Sequence, residues 1–420
     1  MSRFVKGNSL IVVMCLVQLT SLLGASAFVT LLPVFIDEWH LSGAQAGLLS
    51  GIYYAGYVIF VPFLVSLADT IDARSIFIWS SLLIVASLVG FGLSAEGFWS
   101  ALILRFLGGV GRAGTYMTGL KALTDRLGAR DPSRAVAFYT ATFGLAGAGS
   151  IFLTGLIYQM AGWKVAFIML GMGPVLSLSL IWLFLKPKSL PYREARVRWI
   201  PNFKPVFRNK PALGYMISYS LHTGELMTIG SWIVAFLVFS SSLQPEGTPL
   251  WDPVHVAAIG SLLGLVASLA GSEIATRIGR NRLIALAVVL SALWGAGLGF
   301  TAAMPFYLVA IFCLIYSTLT AIDSAAVTAG TVTSAESRYQ GATMAAHSFI
   351  GFMGGFIAPI LFGLILDLAG GIESLKAWGF AFASISLATL LAPITIRFLS
   401  STGSSNAVLH RTDAQLVDGK

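Results

Sequence analysis

Charge is what this sequence has least of. Only 10% of its 420 residues are Asp, Glu, Lys or Arg, against about 25% in an ordinary soluble domain. So few charges cannot build a solvated surface for a chain of this length, which excludes a soluble globular protein. Cysteine is nearly as scarce. Cys15 and Cys313 both lie in apolar runs, so they form no disulfide framework and read as small space-filling hydrophobes. Acidic residues are outnumbered by basic ones, 18 to 26, giving a net charge of +8. The basic residues sit in short loops and form no stripe interleaved with aromatics, so a nucleic-acid surface is not expected. No metal-ligand spacing, nucleotide loop or nucleophile motif stands out, so neither an enzyme nor a cofactor is expected.

Hydrophobic residues are abundant, at 56%. A membrane-spanning helix needs about 20 mostly apolar residues. Twelve segments qualify: 10–36, 43–66, 75–95, 98–122, 133–160, 164–185, 211–241, 255–274, 282–303, 305–331, 339–366 and 376–398. The first has a competing reading as a signal peptide, with a basic start and a small Ala25-Ser26-Ala27 site. Hydrophobicity continues past Ala27 through "FVTLLPVF", which favours a retained helix.

Placing the N-terminus inside leaves only Lys164 and Lys376 in outside loops, with Arg105 and Arg112 within the membrane. Every other Lys and Arg then lies inside, so both termini are expected in the cytoplasm, with the chain integral to a bacterial inner membrane. The expected organisation is an N-terminal six-helix bundle over 1–185, a basic, proline-rich cytoplasmic linker over 186–210, a C-terminal six-helix bundle over 211–399 and a disordered cytoplasmic tail over 400–420.

The halves repeat. "SLADTIDAR" (66–74) follows the second span as "EIATRIGRN" (273–281) follows the eighth, and "GLIYQMAGW" (155–163) corresponds to "GLILDLAGG" (363–371). "WKVAF" from Trp163 corresponds to "WGFAF" from Trp378. A duplicated six-helix unit is the footprint of a carrier whose halves rock about a central site.

On these residues the chain resembles the major facilitator superfamily across 8–399. The resemblance implies an all-α integral membrane protein, with twelve transmembrane helices in two pseudo-symmetric six-helix bundles. The family's loop signature G-x-L-A-D-R-x-G-R-K stands here with Asp69 and Arg74 kept, and its second copy keeps Arg277 and Arg280. The resemblance implies a gating role for these residues, with Arg74 pairing an acid such as Asp125. Ordinary topology-fixing loop charges are the simpler alternative. Arg105, Gly109, Gly111 and Ala113 resemble the helix-four motif R-x-x-Q-G-x-G-A-A of proton-coupled members, with Gly108 in place of the glutamine. Helix five lacks the G-P of drug antiporters. The stretches "LPVFIDEWHLSGAQAGLLSG" and "GWKVAF" are similar to the cyanate- or nitrate-permease-like group, although the glycine-rich nitrate signature is missing.

Arg105 and Arg112 are seven positions apart, about 20° short of two turns, so they share a helix face. A lipid-facing arginine at this depth is costly, so both are expected to face the interior or water. Guanidinium binds carboxylate or oxyanion bidentately, which points to an anion site. Structural pairing with buried acids or carbonyls is the alternative. Gln18, Tyr57, Tyr116, Tyr139 and Trp232 are expected to complete the lining, with Gln18 on the wall opposite Glu225. In the second half Glu225 is expected to carry a proton, with His222 as neighbour, His347 as relay and Asp323 as a gate partner. The expectation is a monomeric, proton-coupled importer of a small organic or inorganic anion, working by alternating access. Efflux of a drug-like compound and a non-transporting membrane sensor are the rival readings.

Overall fold

The computed structural model describes residues 7–68, 70–127, 133–188, 203–246 and 251–399, apart from the side chains of residues 133, 134 and 137. These residues fold into helices, with no strand among them. The first half holds α1 (Asn8–Ser21), α2 (Ala27–Thr30), α3 (Leu32–Glu38), α4 (Gly43–Leu67), α5 (Ala73–Ser94), α6 (Phe98–Ala113), α7 (Tyr116–Thr124) and α8 (Ser133–Phe184). A short α9 (Lys204–Arg208) precedes the second half, which holds α10 (Lys210–Ser242), α11 (Pro253–Ile278), α12 (Arg280–Leu298), α13 (Phe306–Ala321), α14 (Ser324–Ser334), α15 (Gln340–Leu368) and α16 (Leu375–Ala388).

Nine helices among the described residues are long and apolar enough to cross a membrane. Twelve crossings result when α8 counts as two and the interrupted sets α1–α3, α6–α7 and α13–α14 count as one each. The two spans expected over 133–185 are two helices within α8 that meet at Gly162, whose non-helical φ of 79° suits a residue without a Cβ. Much of the expected linker and all of the tail lie outside the described residues.

Local chemistry starts the helices where the loops end. Ser42 and Gln45 form a reciprocal capping box at α4. Asp252 caps α11, accepting from Val254 N at 2.7 Å and His255 N at 3.2 Å, with Pro253 following it.

Three spans are interrupted inside the bundle, where unbroken helices were expected. The first breaks between Ser21 and Ala27, the fourth at Gly114–Thr115 and the tenth at Ile322–Asp323. At the break in the fourth, Gly114 lies so close to α5 that a Cβ there would strike the Ser80 side chain. The fourth helix of each half is therefore broken near a charged residue, Arg112 in one and Asp323 in the other.

The halves join chiefly through α4 against α15 and α8 against α11. Along the first seam Gly43, Gly47 and Gly51 approach the backbone of Gly363, Pro359 and Phe356, so closely that a Cβ on any of the three would strike a carbonyl oxygen. Segments α2 and α3 also pack on α10. The polar ties between halves among the described residues lie at the end away from the termini. There Asp367 accepts from Gly43 N and Ala44 N, and Gln159 donates to Asp252.

Candidate functional site

Arg112 lies in the last turn of α6 and is only 4% exposed. Its Nη1 reaches Thr115 Oγ1 at 3.4 Å, its guanidinium carbon lies 5.6 Å from the Phe143 ring centroid, and its Nη2 has no hydrogen-bond partner. No carboxylate meets it among the described residues. An uncompensated buried cation is costly, so a group that supplies negative charge there gains the full interaction.

Arg105 is placed differently. Its Nε donates to Leu49 O at 3.1 Å and its Nη2 to Ser50 O at 3.2 Å, while the Phe28 and Tyr53 rings flank it at 4.7 and 4.9 Å. It borders a cavity of about 20 Å³ with Ser21 and Ser87, room for little more than a water. The two arginines share a helix but not an environment: Arg105 is held by backbone carbonyls and aromatic faces, whereas Arg112 keeps a free N–H.

Around Arg112 the structure brings together three of the expected lining residues. Tyr139 OH lies 2.9 Å from Gln18 Oε1 and 3.2 Å from Tyr116 O. Gln18 thus sits beside Tyr139 inside the first half, the half opposite Glu225. Tyr57 packs on Phe352 of α15 at 4.8 Å, across the seam between the halves. Trp232 does not line a site. It is fully buried among Phe362 and Trp378, and its indole N–H donates to Pro359 O at 3.2 Å. It belongs to the apolar core.

The four titratable residues expected as one group in the second half form two. Glu225 Oε1 accepts from Tyr316 OH at 2.8 Å and its Oε2 from Ser291 Oγ at 3.4 Å, while Ser386 Oγ lies 2.6 Å from the same tyrosine hydroxyl. This group points into the second bundle, toward α12, α13 and α16. In the other group His222 Nδ1 lies 3.0 Å from Asp323 Oδ1 and Nε2 lies 2.7 Å from Ser324 Oγ. His347 Nδ1 lies 3.0 Å from Thr331 Oγ1. Asp323 Oδ2 and His347 Nε2 are buried without partners. The Tyr219 ring stacks on His347 at 3.9 Å and lies 6.1 Å from the His222 ring.

At the end nearer the termini, Asp69 lies outside the described residues. Arg74 donates to Trp182 O at 3.1 Å rather than to Asp125, whose carboxylate lies 3.5 Å from Lys121. The tie is made by residues one and two positions away. Arg126 Nη2 donates to both Asp72 oxygens at 2.7 and 2.8 Å, and Lys188 N donates to Asp72 Oδ2 at 2.8 Å. Burial alone would raise the Asp72 carboxyl, but the Arg126 hydrogen bonds, the Lys188 and Arg74 amides and the Arg126 charge hold it below the ordinary value. In the second half Arg277 pairs with Glu273 on its own helix, and Arg280 donates to Thr333 Oγ1 at 2.6 Å.

Sequence reasoning missed Tyr219, Tyr316, Asp72, Arg126 and Asp367. For Tyr219 a signal was present: it stands three positions before His222, on the same helix face.

The profile of the Major Facilitator Superfamily matches residues 14–359. A hexuronate transporter of Bacillus subtilis (strain 168) is 24% identical over 401 residues, 89% of this chain and 92% of that protein. A probable galactarate/D-glucarate transporter of the same organism is 24% identical over 243 residues, covering 51% of this chain and 52% of its own length. An uncharacterized transporter of Buchnera aphidicola is 23% identical over half of each chain, so the chain spans about half the length of that relative. Among solved structures, the nucleoside transporter NupG superposes with a TM-score of 0.73 at 14% identity, covering 93% of this chain and 98% of that one. A bacterial homolog of the human lysosomal transporter Spinster gives 0.73 at 13% identity, covering 94% and 97%. These likenesses establish the fold.

Proposed function

The chain belongs to the Major Facilitator Superfamily, and on that premise we propose that it is a proton-coupled importer of a small anion. Its two halves alternate between closure at one membrane face and closure at the other. The distribution of Lys and Arg supports cytoplasmic termini, and with that orientation the face closed by the α4–α15 seam is the outer one. One chain, acting as a monomer, carries the whole path.

The observation that carries this reading is Arg112, a buried cation with an unused N–H and no carboxylate beside it among the described residues. An anion entering a negative interior works against about 2.3 kcal/mol per charge per 100 mV, which co-transported protons offset. Buried Glu225, the His222–Asp323 pair and His347 are the groups able to take protons in the second half. The relatives named for hexuronate and for galactarate/D-glucarate are named for carboxylates, which supports a substrate of the same sign of charge.

The test is uptake of labelled D-glucuronate into proteoliposomes with an inward proton gradient. Wild-type protein should accumulate it and lose accumulation when the gradient is collapsed. Arg112→Ala should abolish uptake and Arg112→Lys should retain a fraction, with the melting temperature of each variant reported beside the rate. Uptake indifferent to the gradient removes proton coupling, and full uptake by Arg112→Ala removes the anion site.

A further inference from the structure

Among the described residues, the buried side-chain atoms without partners include hydroxyls in both halves, but those on charged or titratable groups are divided, with arginine donors on the first half and Asp323 and His347 on the second. On the first half Arg112 Nη2, which only donates, is unpartnered at 4% residue exposure. On the second half Asp323 Oδ2 and His347 Nε2 are unpartnered, at 3% and 2% exposure. A carboxylate oxygen only accepts, and a ring nitrogen whose partner on the other side is a hydroxyl accepts or donates according to its tautomer.

Tyrosines stand on both sides of the seam. Tyr57 of α4 packs on Phe352 of α15 at 4.8 Å, about one and a half turns from His347 on the same helix. Tyr219 in turn stacks on His347 and reaches His222, whose Nδ1 holds the other oxygen of Asp323. The two helices that carry the charges are broken beside them, at Gly114–Thr115 and Ile322–Asp323. Such interruptions let a helix end approach a ligand inside a membrane protein.

We infer that the substrate is a hydroxylated monocarboxylate, bound with its carboxylate at Arg112 and its hydroxyls at Asp323 and His347. This rests on the reading above of a transported anion and adds which anion and which way round. The carboxylate supplies acceptors to the guanidinium. Sugar-type hydroxyls supply donors to Asp323 Oδ2 and either role to His347, and a pyranose ring offers a face to the tyrosines. A dicarboxylate fits badly, because its second carboxylate meets Asp323, a like charge with no donor to give. An acid without hydroxyls leaves Asp323 and His347 unpaired, which a buried polar site penalises strongly.

The experiment measures binding to the detergent-purified full-length protein by calorimetry, with four probes: D-glucuronate, D-glucuronamide, D-glucarate and cyclohexanecarboxylate. D-glucuronate should bind at least about tenfold more tightly than each of the others. Asp323→Asn should admit D-glucarate to within a few-fold of D-glucuronate, a gain that a destabilised protein does not produce. His347→Gln should weaken D-glucuronate and leave cyclohexanecarboxylate where it was. Equal binding of mono- and dicarboxylate by wild type, or an unchanged preference in Asp323→Asn, overturns this inference while leaving the anion reading intact. Absence of binding by any carboxylate overturns both.

Discussion

The carboxylate of Asp367, near the end of α15, caps the start of α4 in the opposite half, with Oδ1 2.6 Å from Gly43 N and Oδ2 2.8 Å from Ala44 N. Two amides at a helix start have no partner in their own helix, and the positive end of the helix favours a carboxylate there. Ser42 already satisfies the Gln45 amide one turn on, so Asp367 completes the cap from across the seam. The helix start is therefore fully capped only while the halves are closed at this end.

Removing that cap should favour opening. Asp367→Ala is expected to raise the thiol-labelling rate of a cysteine placed at Ala46, which is fully buried in the closed seam. The loss of two charge-assisted hydrogen bonds corresponds to about 1.5–3 kcal/mol each, enough to change the closed population tenfold or more. An unchanged labelling rate would mean that packing alone holds this end shut.

The glycine seam makes a separate prediction. A Cβ on Gly363 would overlap the Gly43 carbonyl oxygen, and one on Gly47 would overlap that of Pro359. Backbone cannot move aside as a side chain can, so Gly363→Val should hold the halves apart at this end. The expected outcome is fast labelling at the Ala46 position, with substrate binding retained from the opened face and net transport lost. Transport at the wild-type rate would show that the seam never needs to close this tightly.

At the opposite end the Asp72–Arg126 tie predicts a pH dependence. The folded-state pKa of Asp72 lies below the ordinary value, so its stabilisation is complete above about pH 3.9, the unfolded value. It is lost as the pH falls through the folded value. Asp72→Asn should therefore melt below wild type near neutrality, and the two should converge only in more acidic solution. A difference that grows on acidification would contradict the assignment.

Much of this arrangement was legible in the sequence, and the exceptions share a cause. The crossings follow from runs of about 20 apolar residues, and the pairing of halves follows from repeated loop motifs. The breaks at Gly114–Thr115 and Ile322–Asp323 carry no proline, so the sequence holds no strong local signal for them. The same holds for the ion pair: Asp72 rather than Asp125, and Arg126 rather than Arg74, are chosen by loop geometry among charges of equal type. Trp232 illustrates the limit for lining residues, because an aromatic at helical spacing is equally suited to a core. For Arg105 and Arg112 the shared face was readable, but not that carbonyls of α4 would satisfy one and leave the other.

Glu225 provides the test of proton coupling. Its two oxygens accept from Tyr316 of α13 and Ser291 of α12, and Ser386 of α16 reaches it through the same tyrosine hydroxyl. Protonation and deprotonation of Glu225 must rearrange those bonds, which links the group to movement of α12, α13 and α16 rather than to direct substrate contact. Glu225→Gln keeps the shape and removes the titration. It should abolish D-glucuronate accumulation driven by a proton gradient while preserving binding and the exchange of internal for external substrate. Tyr316→Phe, which removes one donor and leaves the carboxylate titratable, should shift the pH at which uptake is half-maximal without abolishing it. If Glu225→Gln still accumulates substrate against its gradient, the proton is carried elsewhere, and the His222–Asp323 pair, with His347 stacked beside it on Tyr219, becomes the group to substitute next.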